Sequence, residues 1–106
     1  MKFIFEVIVK PPFTVEEYAE NWVRASEIMQ RTTGARGTRL QRDLNNPHRL
    51  LAIASWESKA ARDLKDDSRD ATVRQILAEH HRKCDIRVIG EFDEPEWEVI
   101  PDGQRT

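Results

Sequence analysis

From residue 2 to residue 10 apolar side chains alternate. Phe3, Phe5, Val7 and Val9 face one way; Ile4, Glu6 and Ile8 face the other. A period of two carried by aromatic and β-branched residues predicts a strand. Both faces are largely apolar, so both should be covered. Pro11-Pro12 ends it. The period then changes. Thr14-Val15-Glu16-Glu17 is a capping box with Thr14 as N-cap. Behind it Val15, Tyr18, Trp22, Ala25 and Met29 recur at helical spacing, widened by Ala19 and Ile28, with Glu16, Glu20, Arg24, Glu27 and Arg31 opposite. This predicts a helix over 14–32, with Gly34 at its C′ position.

Residues 34–61 carry the densest pattern: strand, turn, strand, then a sharp turn into a helix. The second strand is expected over 37–43, with Thr38, Leu40 and Arg42 opposed to Arg39 and Gln41. Asn45-Asn46-Pro47 marks the turn. The third strand is expected over 49–56, and a short helix begins near Ser58. Asp66-Asp67-Ser68 interrupts it, and Ser68 can cap a third helix on which Val73, Ile76, Leu77 and His80 share a face. A last strand is expected over 85–92, with Ile86 and Val88 opposed to Arg87 and Ile89.

The order β-α-β-β-α-α-β is the ferredoxin-like split βαβ plan, an α+β fold with a four-stranded antiparallel sheet and its second helix broken in two. Helices cover one face. Ile4, Ile8 and their neighbours are left on the other, and a second copy is the simplest cover, because a two-fold contact needs only one self-complementary surface. A homodimer follows as an expectation. Residues 1–93 form the domain. Residues 94–106 form a tail whose Trp97, Val99 and Ile100 are expected to pack on the body or on a partner subunit.

The 106 residues suit one domain. A net charge of −2, with arginines scattered over all elements, argues against a nucleic-acid role. No apolar run approaches a membrane span, and Met1-Lys2-Phe3-Ile4-Phe5-Glu6 meets a charge too early for a secretory signal. The single cysteine, Cys84, cannot form an internal disulfide, so a reducing cytoplasm is the expected compartment.

The spaced glycines Gly34 and Gly37, the strand Arg39-Leu40-Gln41-Arg42, and above all Ala54-Ser55-Trp56-Glu57-Ser58-Lys59-Ala60-Ala61 resemble the antibiotic biosynthesis monooxygenase family over residues 1–92. The resemblance implies a dimeric α/β barrel and cofactor-independent oxygenation of an aromatic quinol that supplies its own electrons once deprotonated. It implies no metal and no cofactor. Trp56 matches the family tryptophan at the end of the third strand. The asparagine that the quinol oxygenases place four residues earlier falls on Ala52, and the tyrosine six residues later falls on Arg62. Against the haem-degrading branch of the superfamily, an ungapped match puts Val7, Lys65 and Gln75 at the asparagine, tryptophan and haem-ligating histidine.

Four residues are candidates for the site. Trp22 and Trp56 are either core packing or walls of an aromatic-binding pocket between the sheet and the three helices. His80, on the apolar face of the third helix, is either a partner of the helix dipole or a catalytic base. Glu6, mid-strand between two isoleucines, is either an interface ion pair with Arg87 or a partner arginine, or a general base with a raised pKa. His80 and His81 are adjacent and point about 100° apart on a helix, so they do not share a metal easily. His48 is expected to be exposed and Cys84 inert. A non-catalytic ligand-binding or accessory dimer is the rival to the enzyme.

Overall fold

The computed structural model describes residues 1–65 and 70–102. The elements run β1 (Lys2–Val9), α1 (Val15–Met29), β2 (Ala35–Arg42), β3 (Arg49–Trp56), α2 (Lys59–Lys65), α3 (Ala71–Lys83) and β4 (Cys84–Phe92). The strands form one antiparallel sheet in the order β2-β3-β1-β4. This is the ferredoxin-like α+β arrangement that the element order predicts.

The two faces divide as the alternation requires. Phe5 sits opposite Ala52 of β3 and Val88 of β4, and Val7 opposite Leu50 and Ile86. These side chains meet the helices. Val7, Val9, Tyr18, Leu50 and Cys84 form one buried cluster with Phe13 and Val15. Ala25, Val73 and Ile76 form a second where α1 meets α3. On the outer face Ile4 pairs with Ile53, Glu6 with Leu51 and Arg87, and Ile8 with Arg49 and Asp85.

Several boundaries move for identifiable reasons. The Thr14 capping box is present: Thr14 Oγ1 accepts from the Glu17 N–H at 3.1 Å, and Glu17 Oε1 accepts from the Thr14 N–H at 3.1 Å. The helix ends at Met29 rather than residue 32, because the Arg31 and Thr32 N–H groups turn to the carbonyls three residues back. Gly34 is therefore not its C′ residue. It occupies the turn into β2 at φ +91°. β2 starts at Ala35, two residues before the expected start, and its pairing with β3 shifts register between Ala35 and Thr38. A second irregularity between Ile4 and Phe5 lets β4 pass over Ile89, since Ile4 pairs with Gly90 and Phe5 with Val88. Ser58 Oγ accepts from the Ala61 N–H at 3.1 Å, as a cap of α2 should. The expected break at Asp66-Asp67-Ser68 lies outside the described residues. The cap of α3 is Asp70, whose side chain accepts from the Thr72 N–H at 2.7 Å.

The start of the tail is tied to the body by Glu94, which pairs with the Met1 ammonium at 2.8 Å. Beyond it Trp97 is 82 % exposed, so the protomer's own body does not cover it.

Candidate functional site

Between the helix-facing side of the sheet and α1, α2 and α3 lies a cavity of about 220 Å³. It opens where the two buried clusters part. Phe3 and Phe5 of β1, Ile86 and Val88 of β4, and Trp56 of β3 give its sheet side; Trp22 and Met29 of α1 and Leu77 of α3 give its helix side. A larger groove of about 550 Å³ at Lys10, Phe13 and Lys83 is more open and lies on the surface.

Three of the four predicted site residues converge here. Trp22, half-buried, and Trp56, buried, both line the cavity. His80 lines it too and is 1 % exposed. Its placement follows from the helix period, since Val73, Ile76 and His80 are the buried residues of α3. Nε2 of His80 is buried and has no hydrogen-bond partner among the described residues. Burial pushes its pKa down to about 4, and the nearby Glu79 carboxylate opposes this only in part. At neutral pH it is an uncharged imidazole. It is therefore not a dipole partner; Arg82 and Lys83 supply that charge at the end of α3. Its ring lies 4.2 Å from that of Tyr18, whose phenol burial holds well above its usual pKa.

Glu6 does not join them. It points to the opposite face of the sheet. Arg49 Nε donates to Glu6 Oε2 at 2.8 Å and Arg87 Nε to Glu6 Oε1 at 2.8 Å. Arg49 also donates to Asp43 Oδ2 at 3.1 Å. The hydrogen bond from Arg49, aided by that from Arg87, outweighs burial and holds the Glu6 pKa below the carboxylate norm. The reading of Glu6 as a base with a raised pKa is thus corrected to an ion pair. The sheet pleat puts residue 6 on the face away from residues 3, 5 and 7.

Among the described residues no group of His, Cys, Asp and Glu can hold a metal, and no helix is long and apolar enough to cross a membrane. His48 is exposed, and Cys84 is buried with its thiol pKa raised by that burial.

The lining includes an arginine that was not a site candidate from sequence. Arg62 of α2 lies at the cavity wall, its guanidinium 4.0 Å from the centre of the Phe3 ring. A seven-residue helix is too short for periodicity to reveal which face it buries. Tyr18 was legible only as part of the apolar stripe of α1.

No protein-family model matches this chain, and no curated protein does. Solved structures do. An Asn→Ala variant of SnoaB, a cofactor-independent oxygenase from Streptomyces nogalater, superposes with a TM-score of 0.78 at 16 % identity, covering 94 % of this chain and 95 % of that one. An antibiotic biosynthesis monooxygenase superposes at 0.68 with 14 % identity, covering 90 % and 100 %. A protein from Nitrosomonas europaea, described as a candidate member of the same group, superposes at 0.67 with 13 % identity, covering 83 % and 86 %. The chain has the antibiotic biosynthesis monooxygenase fold. At these identities the likeness is one of architecture.

Within this fold, two of the three positions singled out by the sequence resemblance, Trp56 and Arg62, line the cavity. Trp56 is 3 % exposed at the end of β3. Ala52, where the resemblance sets an asparagine, is buried on the same face of that strand and offers no side-chain donor. Arg62, where it sets a tyrosine, brings a cation instead.

Proposed function

We propose that this protein is a cofactor-independent monooxygenase acting on a small aromatic or quinol compound. The observation that carries the reading is the buried His80, its Nε2 without a partner among the described residues, at the wall of a cavity lined mainly by aromatic and aliphatic side chains. An unmet buried nitrogen costs stability unless a ligand satisfies it. A planar aromatic stacks between Trp22 and Trp56 and presents a hydroxyl to that nitrogen. The neutral imidazole accepts the hydroxyl's hydrogen bond, then its proton. The low basicity of His80 in the empty cavity rises beside the phenolate that forms, because the two charges stabilise each other where water is excluded.

The substrate is the sole reductant. The substrate loses two hydrogens, one of them as its phenolic proton, and an activated ring carbon gains one atom of dioxygen; the second oxygen atom leaves as water with those hydrogens. Oxygen uptake with a panel of reduced quinols tests this. Uptake should need no added flavin, survive a chelator and rise with pH as the phenol ionises. His80→Ala should slow it by about 10²-fold.

Two observations favour a second reading, a non-catalytic ligand-binding dimer. Ala52 is buried and brings no polar side chain at the position where the resemblance sets an asparagine, and Glu6 is engaged on the other face. Ligand binding with no uptake across the panel would select it.

A further inference from the structure

Trp22, Trp56 and His80 describe a cavity for an uncharged aromatic. Arg62 changes that description. Among the described lining residues it is the only arginine or lysine, beside two histidines, His81 and the neutral His80, and no Asp or Glu lines the wall. Its side chain is 19 % exposed. The Phe3 ring supports one face of the guanidinium.

Its charge is only loosely compensated. Nη1 reaches Asp63 Oδ1 at 3.3 Å and Glu91 Oε1 at 3.4 Å, both at the long end of hydrogen-bond geometry. Asp63 is half exposed, and Glu91 is held more closely by Lys59, at 3.0 Å. Nε and Nη2 make no hydrogen bond among the described residues. The four charges of this cluster sum to zero, but the carboxylates face solvent and the guanidinium faces the cavity. A guanidinium with a free fork is the preferred partner of a planar two-oxygen anion.

We propose that the cavity takes an anionic aromatic and that Arg62 is the residue that selects it, by binding a carboxylate on the ring system. This rests on the cavity being an aromatic-binding site, and it names the class of compound: an aromatic acid. The carboxylate meets Nε and Nη2 of Arg62, and the ring lies on Phe3 and between the tryptophans.

Calorimetric titration with 2-naphthoate and with 2-naphthamide, its neutral isostere, at neutral pH tests the inference. The acid should bind about tenfold or more tightly than the amide, the range expected for hydrogen bonds to a partly buried charge. Arg62→Gln should abolish the preference. Arg87→Gln, on the far face of the sheet, should leave the preference intact. A crystal of the unaltered protein with 2-naphthoate reads the same contact without a variant: the carboxylate should sit on the Arg62 guanidinium. Equal affinities, a preference that survives Arg62→Gln, a carboxylate bound elsewhere, or no binding of either compound would each overturn the inference. The oxygenase reading fails separately. Acid-selective binding with no oxygen uptake ends that reading and upholds this one; oxygen uptake from quinols together with equal affinities for 2-naphthoate and 2-naphthamide does the reverse.

Discussion

The ring of His80 lies against that of Tyr18, their centroids 4.2 Å apart and their planes tilted by 32°. One is an imidazole that burial keeps unprotonated, the other a phenol that burial keeps protonated. The pair puts two uncharged polar rings beside one cavity, where ionised groups would be costly.

The His80 pKa has a consequence for stability. In the unfolded chain a histidine titrates near 6.5; in the fold His80 titrates near 4. As pH falls from 6.5 the unfolded chain takes up a proton that the folded protein refuses, so stability declines. The decline stops below pH 4, where folded His80 also protonates. Its full size is on the order of 3 kcal/mol. Glu6 and Asp43 have lowered pKa values, so their stabilisation is present above the ordinary carboxylate pKa and is lost only as pH falls further. Urea unfolding between about pH 7 and pH 5.5, above the range where the lowered carboxylates lose their stabilisation, therefore reads mainly His80. His80→Gln should flatten the slope there, and an unchanged slope would count against a buried neutral imidazole.

Gly34 and Gly37 share a left-handed backbone, at φ +91° and +97°, but not surroundings. A Cβ on Gly34 would lie 2.6 Å from Cβ of Ala61, at the start of α2; one on Gly37 meets nothing within 4 Å. Gly37→Ala should cost about 1 kcal/mol, from backbone strain alone. Gly34→Ala should cost on the order of 3 kcal/mol, because overpacking adds to strain. Urea midpoints of the two variants would show it, and equal costs would mean that α2 is not seated against this turn.

We propose that a second copy covers the outer face of the sheet, where Ile4, Ile8, Leu51 and Ile53 stand around the Glu6–Arg49–Arg87 ion pairs. Light scattering at micromolar concentration should give twice the chain mass. Ile8→Asp should yield monomers, because it would bury a charge without a partner. A stable monomer in the unaltered protein would end the proposal.

The tail belongs to the same surface question. Trp97 and Val99 are 82 % and 71 % exposed on the protomer, too apolar a pair to leave in water without reason. Trp97→Ser should weaken the dimer and leave the unfolding of an isolated Ile8→Asp protomer unchanged. An unaltered dimer dissociation constant would show that the tail contributes nothing to association.

The sequence by itself determined the elements and their faces. The alternation in residues 2–9 and the stripe from Val15 to Met29 are local consequences of backbone periods, and they placed Phe5 and Val7 inward and Glu6 outward. The spacing of Val73, Ile76 and His80 likewise buried the histidine. Arg87 was legible as a partner of Glu6, since both lie mid-strand. Arg49, 43 residues away, was not. What the tertiary structure alone decided is which side chains share a volume. Strand order β2-β3-β1-β4 set Glu6 between two arginines and away from the cavity, ending its candidacy as a base. The seating of α2 on Gly34 carried Arg62 to the cavity wall. A backbone period fixes direction along one element, but a site's chemistry depends on distances between elements, and those exist only once the chain has packed.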